Sequence, residues 1–113
     1  MIEVIIKNYL AEKLSVPVVL EVPADPLKSF VLLEKTGSSR EEHIDRAMLA
    51  IQSYAPSMYD AARLNERVKA AMDSAAELDA VSASRLNSDY NFTDTTTKRY
   101  RYQAVYDLVY YDE

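Results

Sequence analysis

Residues 99–110 read RYRYQAVYDLVY and alternate along their whole length between two chemically different sets of side chains. One set holds Tyr100, Tyr102, Ala104, Tyr106, Leu108 and Tyr110, and the other holds Arg99, Arg101, Gln103, Val105, Asp107 and Val109. Because successive side chains of a β-strand point to opposite faces, this alternation predicts a strand with one tyrosine-rich face. Tyrosine combines a large apolar ring with a hydroxyl that requires a partner, so the face suits packing or a subunit contact.

The segment before this strand predicts the other arm of a hairpin. Residues 81–86 read VSASRL, and the polar stretch 87–98 separates them from the tyrosine-rich strand. Six of the nine tyrosines of the chain lie after residue 87. The pattern is typical of a long hairpin, and we expect its polar tip at residues 87–98 to be mobile.

A helix is predicted upstream of the hairpin. Ser57 and Asp60 follow Pro56 with the spacing of a capping box, which marks a helix start. Apolar residues then recur at helical spacing opposite a charged face, and they are Ala61, Leu64, Val68, Met72 and Ala75.

The N-terminal half predicts one more helix and three strands. The first helix ends at or before Val16, because Pro17 disfavours helical geometry in the preceding residue. Strands are predicted at residues 18–22, 29–35 and 44–54, with a loop at 23–26 and a turn at 36–40 around Gly37. The order α-β-β-β-α-β-β predicts a single α+β domain over residues 1–113, with a mostly antiparallel sheet and two helices on one face.

Composition excludes several classes of function. The absence of cysteine excludes disulfides, thiolate catalysis and zinc sites built on sulfur, and a single glycine excludes glycine-rich nucleotide-binding loops. The net charge of −5 opposes binding to nucleic acid through phosphates. No apolar run approaches the roughly 20 residues that span a bilayer, so no membrane association is expected.

Three polar groups invite a catalytic or metal-binding interpretation, and a simpler one is favoured for each. His43 is the only histidine and lies among alternating charges without the spacing of metal ligands. Ser38 with Ser39, and Asp89 with Asp94, lie in polar sequence where such residues satisfy turn backbone. The sequence therefore predicts no catalytic residue, no cofactor and no metal site.

The aromatic residues of the C-terminal hairpin are the candidate binding residues. Base stacking is disfavoured because Arg99 and Arg101 have the opposite parity to the tyrosines of their strand. Two roles stay open for each aromatic side chain, which are covering the helices of the same chain and contacting a partner. The candidate interface residues are Tyr90, Phe92, Tyr100, Tyr102, Tyr106 and Tyr110.

Three segments together resemble a known class of phage proteins. They are FVLLEKTG at residues 30–37, DRAMLAIQSYAPSMYDAA at 45–62, and LNSDYNFTD at 86–94 continuing to the tyrosine-rich strand. As a set they resemble tail terminator or tail-completion proteins from the head-to-tail gene block of phages and prophages of Gram-positive bacteria.

The resemblance implies a structural role in virion assembly and no enzymatic activity. It implies a homo-oligomeric ring, typically a hexamer, that caps the tail tube and prepares the head–tail junction. The implied partners are further copies of the chain, the tail tube protein and the head connector, in the host cytoplasm during assembly and then in the virion tail. Two alternatives are a head–tail connector or neck protein of the same gene block, and a small nucleic-acid or regulatory binding module.

Overall fold

The computed structural model describes residues 1–24, 28–97 and 99–111. Two α-helices and five strands occur in this part of the chain. They are α1 (Ile2–Lys13), β1 (Val18–Val19), β2 (Phe30–Glu41), β3 (Ile44–Ala55), α2 (Met58–Asp73), β4 (Val81–Asn91) and β5 (Tyr100–Tyr110), with one turn of 3-10 helix (Ala75–Glu77) after α2.

The strands form one sheet in the order β1-β2-β3-β5-β4. β1 pairs with β2 in parallel, and all other neighbours are antiparallel. β5 therefore lies between β3 and β4, although it is the last of these elements along the chain. The predicted fold class is confirmed, including the order of helices and strands.

Both helices pack on the same face of this sheet. The buried side chains of α1 and α2 join those of one sheet face in a single apolar cluster, which includes Ile6, Leu10, Val31, Leu33, Leu49, Ile51, Val68, Met72, Tyr106 and Leu108. The Tyr9 hydroxyl donates a hydrogen bond to the carbonyl oxygen of Ala71 at 2.8 Å, which ties α1 to α2. The predicted helix start is also confirmed, because the Ser57 hydroxyl accepts a hydrogen bond from the Asp60 amide at 3.1 Å.

The tyrosine-rich face of β5 lies against the helices. Tyr106 is fully buried, and its hydroxyl lies 2.9 Å from an Asp73 carboxylate oxygen and 3.2 Å from the Lys69 carbonyl oxygen. Burial, with a further contribution from Asp73, raises the pKa of Tyr106 above its ordinary value, so the phenol remains protonated and donates to these acceptors. The sheet thus uses Tyr106 to hold α2 through both packing and a hydrogen bond.

The predicted turn at residues 36–40 is wrong. β2 continues through Gly37 to Glu41, and the chain reverses at Glu42 and His43, whose φ angles are 51° and 67°. Two-residue hairpin turns favour positive φ because it matches the twist of the strands, and histidine adopts this conformation more readily than most residues. The misleading signal was the polar composition of residues 36–40, which reflects an exposed strand.

Two other boundaries differ from the prediction. The first strand covers only Val18–Val19, and the loop predicted at residues 23–26 lies partly outside the described residues. β4 extends to Asn91, so the hairpin tip is shorter than residues 87–98, and Lys98 lies outside the described residues.

Gly37→Ala is expected to stabilise the protein by about 0.5 kcal/mol, because alanine restricts the unfolded chain more than glycine does. A Cβ atom at this position meets no atom within 4 Å, and the backbone does not adopt positive φ there. Urea unfolding followed by circular dichroism measures the difference in free energy. Destabilisation by Gly37→Ala would show that the position does require glycine.

Candidate assembly surface

The sheet face opposite the helices, termed the open face, has an aromatic core at one end. Phe30 and Tyr54 stack with ring centroids 4.4 Å apart and an interplanar angle of 8°. Leu32 completes this small cluster, and Val19 packs against it. These side chains are buried although their cluster is separate from the one that contains the helices.

A hydrogen-bond network continues this cluster across three strands. The Gln52 side-chain amide donates to the Gln103 side-chain oxygen at 2.9 Å, and Gln103 donates to the Tyr90 hydroxyl. The Gln52 oxygen accepts from the Tyr54 hydroxyl at 3.0 Å and lies 3.4 Å from Arg101 Nη1. Both glutamines are buried, and a satisfied buried amide fixes the positions of the strands that carry it.

Arg101 is held in one orientation on this face. Its guanidinium carbon lies 4.4 Å from the centroid of the Phe92 ring and 5.6 Å from that of Tyr54. Nε donates to the Phe92 carbonyl oxygen at 2.6 Å, and Nη1 donates to the Tyr54 hydroxyl at 2.7 Å. The contacts to the two rings are cation–π interactions, which add to the hydrogen bonds in fixing a positive charge on the open face.

The open face also carries a group of solvent-exposed apolar side chains, here termed the open-face patch. Its members are between 38% and 42% exposed, and they are Ile44, Met48, Tyr90 and Phe92. Met48 and Leu86 line a shallow groove of about 820 Å³ together with Arg46, Arg85 and Asp107. The patch residues share the face that the helices leave uncovered, and exposed apolar side chains on such a face are candidates for contact with another molecule.

The structure divides the six candidate interface residues between the two faces of the sheet. Tyr106 and Tyr110 are buried on the helix face. Of the two roles that the sequence left open, these two tyrosines therefore have the first, which is to cover the helices of the same chain. Tyr100 and Tyr102 are half-buried. Tyr90 and Phe92 lie on the open face, with ring centroids 5.9 Å apart in an edge-to-face arrangement.

Sequence reasoning missed the contribution of other strands to this surface. From the sequence, Arg101 was expected to lie apart from aromatic side chains, because the tyrosines of its own strand point to the opposite face of the sheet. The structure places Tyr54 of β3 and Phe92, which follows β4, beside Arg101, and Tyr90 of β4 beside Gln103. The only indication in the sequence was that Gln103 and Arg101 have the same parity and therefore share one face of their strand. Which aromatic side chains of the neighbouring strands lie beside them depends on the strand register, and the sequence does not show that register.

The polar groups considered for catalysis occupy different places. Asp94 accepts hydrogen bonds from the Thr96 and Thr97 amides, as predicted for turn sequence, and these bonds lower its pKa. The turn interpretation is wrong for Asp89, because this residue lies in β4. Its carboxylate accepts hydrogen bonds from the Lys69 and Asn65 side chains of α2, both at 3.2 Å. His43 lies in the β2–β3 turn.

Within residues 1–24, 28–97 and 99–111, no group of three or more His, Asp or Glu side chains is placed to hold a metal ion. Among the helices of the same ranges, none combines the length and apolar character needed to cross a membrane.

Both edge regions of the sheet contain irregularities that disfavour its extension by another strand. The register between β2 and β3 shifts between Lys35 and Gly37, in the part of β2 that extends beyond its pairing with β1. The register between β4 and β5 shifts between Val81 and Ala83, and it shifts again after Leu86. The central β3–β5 pair has a continuous register over its whole length. Because bulges interrupt the row of backbone groups on a free edge, they protect it from pairing with another chain.

No protein-family model matches this sequence, and no curated protein matches it.

Proposed function

We propose that this chain is a structural subunit of virion assembly, a tail terminator-like ring subunit that caps the tail tube and prepares the head–tail junction. The observation that carries the proposal is the open-face patch, because it is an exposed apolar surface on a sheet whose other face is already covered. The proposal also draws on the whole-chain resemblance to tail terminator proteins. Its partners are further copies of the chain, the tail tube protein and the head connector.

The arrangement of the patch suits stable contact with a protein. Within the patch, the Phe92 ring contacts the Tyr90 ring edge to face and lies beside the Arg101 guanidinium, so this part of the surface is rigid before a partner arrives. Rigid aromatic and arginine side chains lose little conformational entropy on binding, which is why they are frequent at the centre of protein interfaces. The bulged edges leave this face, and not sheet extension, as the route to assembly.

A tube-length assay tests the proposal. Tail tube protein polymerised with the wild-type chain is expected to give short, capped tubes in electron micrographs. The double variant Ile44→Ser, Met48→Ser is expected to leave the tubes long while melting close to the wild-type temperature, because both side chains are about two-fifths exposed. Tyr59→Ser is the matched control, since Tyr59 is 68% exposed on α2 and lies outside the patch. Tubes of unaltered length with the wild-type chain would contradict the terminator function.

Binding to single-stranded nucleic acid is the second candidate function, favoured by one observation. Arg101 shares the open face with Tyr90 and Phe92, so a cation and aromatic rings stand together as they do in base-stacking surfaces. The net charge of −5 opposes it. Titration with labelled single-stranded DNA at two salt concentrations decides, because binding through phosphates weakens steeply with salt. Absence of binding at low salt would eliminate this candidate.

A further inference from the structure

The hydrogen-bond network on the open face runs in a single direction. Arginine only donates hydrogen bonds, so the Tyr54 hydroxyl accepts from Arg101 Nη1 and gives its own hydrogen to the Gln52 side-chain oxygen. Because that oxygen is turned toward Tyr54, Gln52 donates through its amide nitrogen to the Gln103 oxygen. Gln103 donates in turn to the Tyr90 hydroxyl. The guanidinium therefore sets the orientation of every polar group from Tyr54 to Tyr90.

Each end of this network has a donor that lacks an acceptor within the described residues. Arg101 donates through Nε to the Phe92 carbonyl oxygen and through Nη1 to the network, whereas its Nη2 has no acceptor there. The Tyr90 hydroxyl receives a hydrogen bond from Gln103, and its own hydrogen is likewise unused. Tyr90 is 42% exposed and Arg101 is half-buried, so a ligand can reach both side chains. A site whose free groups are donors matches a ligand that brings acceptors.

The charge of Arg101 has no carboxylate partner in the part of the chain that the structure describes. The ion pairs found there involve other arginines and lysines. Hydrogen bonds from Thr96 and Thr97 lower the pKa of Asp94, and Arg101 adds a lesser lowering from a distance, but Asp94 and Arg101 form no ion pair. A guanidinium that is partly desolvated and held in one orientation is stabilised by a carboxylate from another molecule, because the planar fork matches the two carboxylate oxygens.

The aromatic rings around Arg101 are already engaged within the chain, which favours a carboxylate over a nucleic acid as the ligand. Tyr54 is buried and stacks on Phe30, and the guanidinium lies 4.4 Å from the centroid of the Phe92 ring. Tyr90 meets the Phe92 ring edge to face. The net charge of −5 also repels a chain of phosphates. A single carboxylate needs no free ring face and carries much less charge than a run of phosphates.

We infer that Arg101 and Tyr90 bind an acidic segment of a partner protein, in which Nη2 of Arg101 holds a side-chain carboxylate and the Tyr90 hydroxyl donates to another oxygen of the same segment. The inference rests on the proposed function, and it names the chemistry that the partner brings to the open face. Tyr90 pairs with Gln103, which lies two residues beyond Arg101 on β5, so the two donors start from positions roughly 7 Å apart along the strand. Two residues of an extended peptide span the same length, so a side-chain carboxylate and a nearby main-chain carbonyl oxygen can occupy both donors.

NMR of the arginine side chains tests the site with a small peptide. The probe is the tripeptide Gly-Glu-Gly, acetylated and amidated so that its only charge is the side-chain carboxylate, and Gly-Gln-Gly is its matched control. The Nε signal of Arg101 is expected to saturate at about a ten-fold lower concentration of the glutamate peptide than that of Arg63, because a pre-oriented guanidinium loses less entropy on binding. Arg63 is a suitable reference, since it also lies near a ring, 5.7 Å from the Tyr59 centroid, but makes no hydrogen bond to the described residues.

Two variants separate binding from folding. Tyr90→Phe leaves every hydrogen bond of Arg101 in place, so it is expected to melt near the wild-type temperature and to bind the glutamate peptide about five-fold more weakly. Arg101→Lys keeps the charge but not the planar fork and is expected to abolish the preference over Arg63. The inference is overturned if Gly-Gln-Gly shifts the Arg101 signal as strongly as Gly-Glu-Gly, or if the wild-type Arg101 and Arg63 signals respond alike. A preference for Arg101 with inorganic phosphate in place of the peptide would identify a phosphate site and would overturn it too.

The tube-length assay separates this result from the proposed function. With Arg101→Lys, folded as judged by circular dichroism, the tubes are expected to stay long, whereas the matched control Arg63→Lys is expected to give short tubes like the wild type. Peptide binding at Arg101 together with tubes of unaltered length from the wild-type chain would remove the terminator function and leave the site. Tubes as short with Arg101→Lys as with the wild type would remove the inference and leave the terminator function.

Discussion

Tyr106→Ala is expected to lower the free energy of unfolding by about 4 kcal/mol, as is usual when a fully buried aromatic side chain is truncated. The ring lies in the main apolar cluster between β5 and α2, and its hydroxyl lies within hydrogen-bond distance of Asp73 and the Lys69 carbonyl oxygen. Truncation removes the packing, opens a cavity and deletes the hydrogen bond in a single step. Urea unfolding at equilibrium, followed by circular dichroism, measures the loss.

Two comparisons assign this loss to burial. Tyr102→Ala changes a half-buried tyrosine of the same strand and is expected to cost less than about 2 kcal/mol. Tyr106→Phe keeps the ring and is expected to cost about 1 kcal/mol, the usual value of one hydrogen bond. If Tyr102→Ala were as destabilising as Tyr106→Ala, the tyrosine-rich face would not be divided into buried and half-buried parts as described.

Gln103→Leu is expected to cost about 2 kcal/mol, because it leaves a buried amide of Gln52 without its acceptor. Adding Gln52→Leu is expected to recover most of this loss, although it is a second substitution in the same network. The double variant leaves the Tyr54 hydroxyl bonded to Arg101, and the Tyr90 hydroxyl belongs to an exposed side chain. Each buried group then either has a partner or has been removed.

A double-mutant cycle of thermal or urea unfolding gives the coupling energy between the two glutamines. The expected coupling is about 2 kcal/mol, with the double variant more stable than Gln103→Leu alone. Tyr90→Phe is the matched control on the same network, and we expect a small effect because water can replace the hydroxyl for Gln103. Additive losses at Gln52 and Gln103 would show that the two amides do not act as a pair.

Much of the fold could be predicted because its signals are local. The capping box at Ser57, the helical spacing that follows it and the alternation of residues 99–110 each depend on neighbours in sequence. Four successive apolar residues in β2 are typical of a strand buried on both faces, and Phe30, Val31, Leu32 and Leu33 are all buried. Short-range periodicity is therefore sufficient to place the long elements of this chain.

The turn and the candidate surface could not be predicted, for different reasons. Glu42 and His43 are not the Asn-Gly pair that usually marks a two-residue hairpin turn, and the preference of histidine for positive φ is too weak to indicate a turn by itself. The open face depends on which residues of β3, β4 and β5 stand beside one another, and that register includes a shift after Leu86. Contacts such as Arg101 with Phe92 follow from pairing between strands, which periodicity within one strand does not reveal.

The position of β5 has a consequence for how this protein folds during synthesis. β3 and β4 both pair with β5, yet β5 follows every other described helix and strand along the chain. While a ribosome is still adding residues 100–110, β3 has one unpaired side, β4 has no neighbour, and the ring of Tyr106 has not reached α2. The central sheet therefore closes only after translation has passed β5, and until then one side of the largely buried strand β3 has no strand partner.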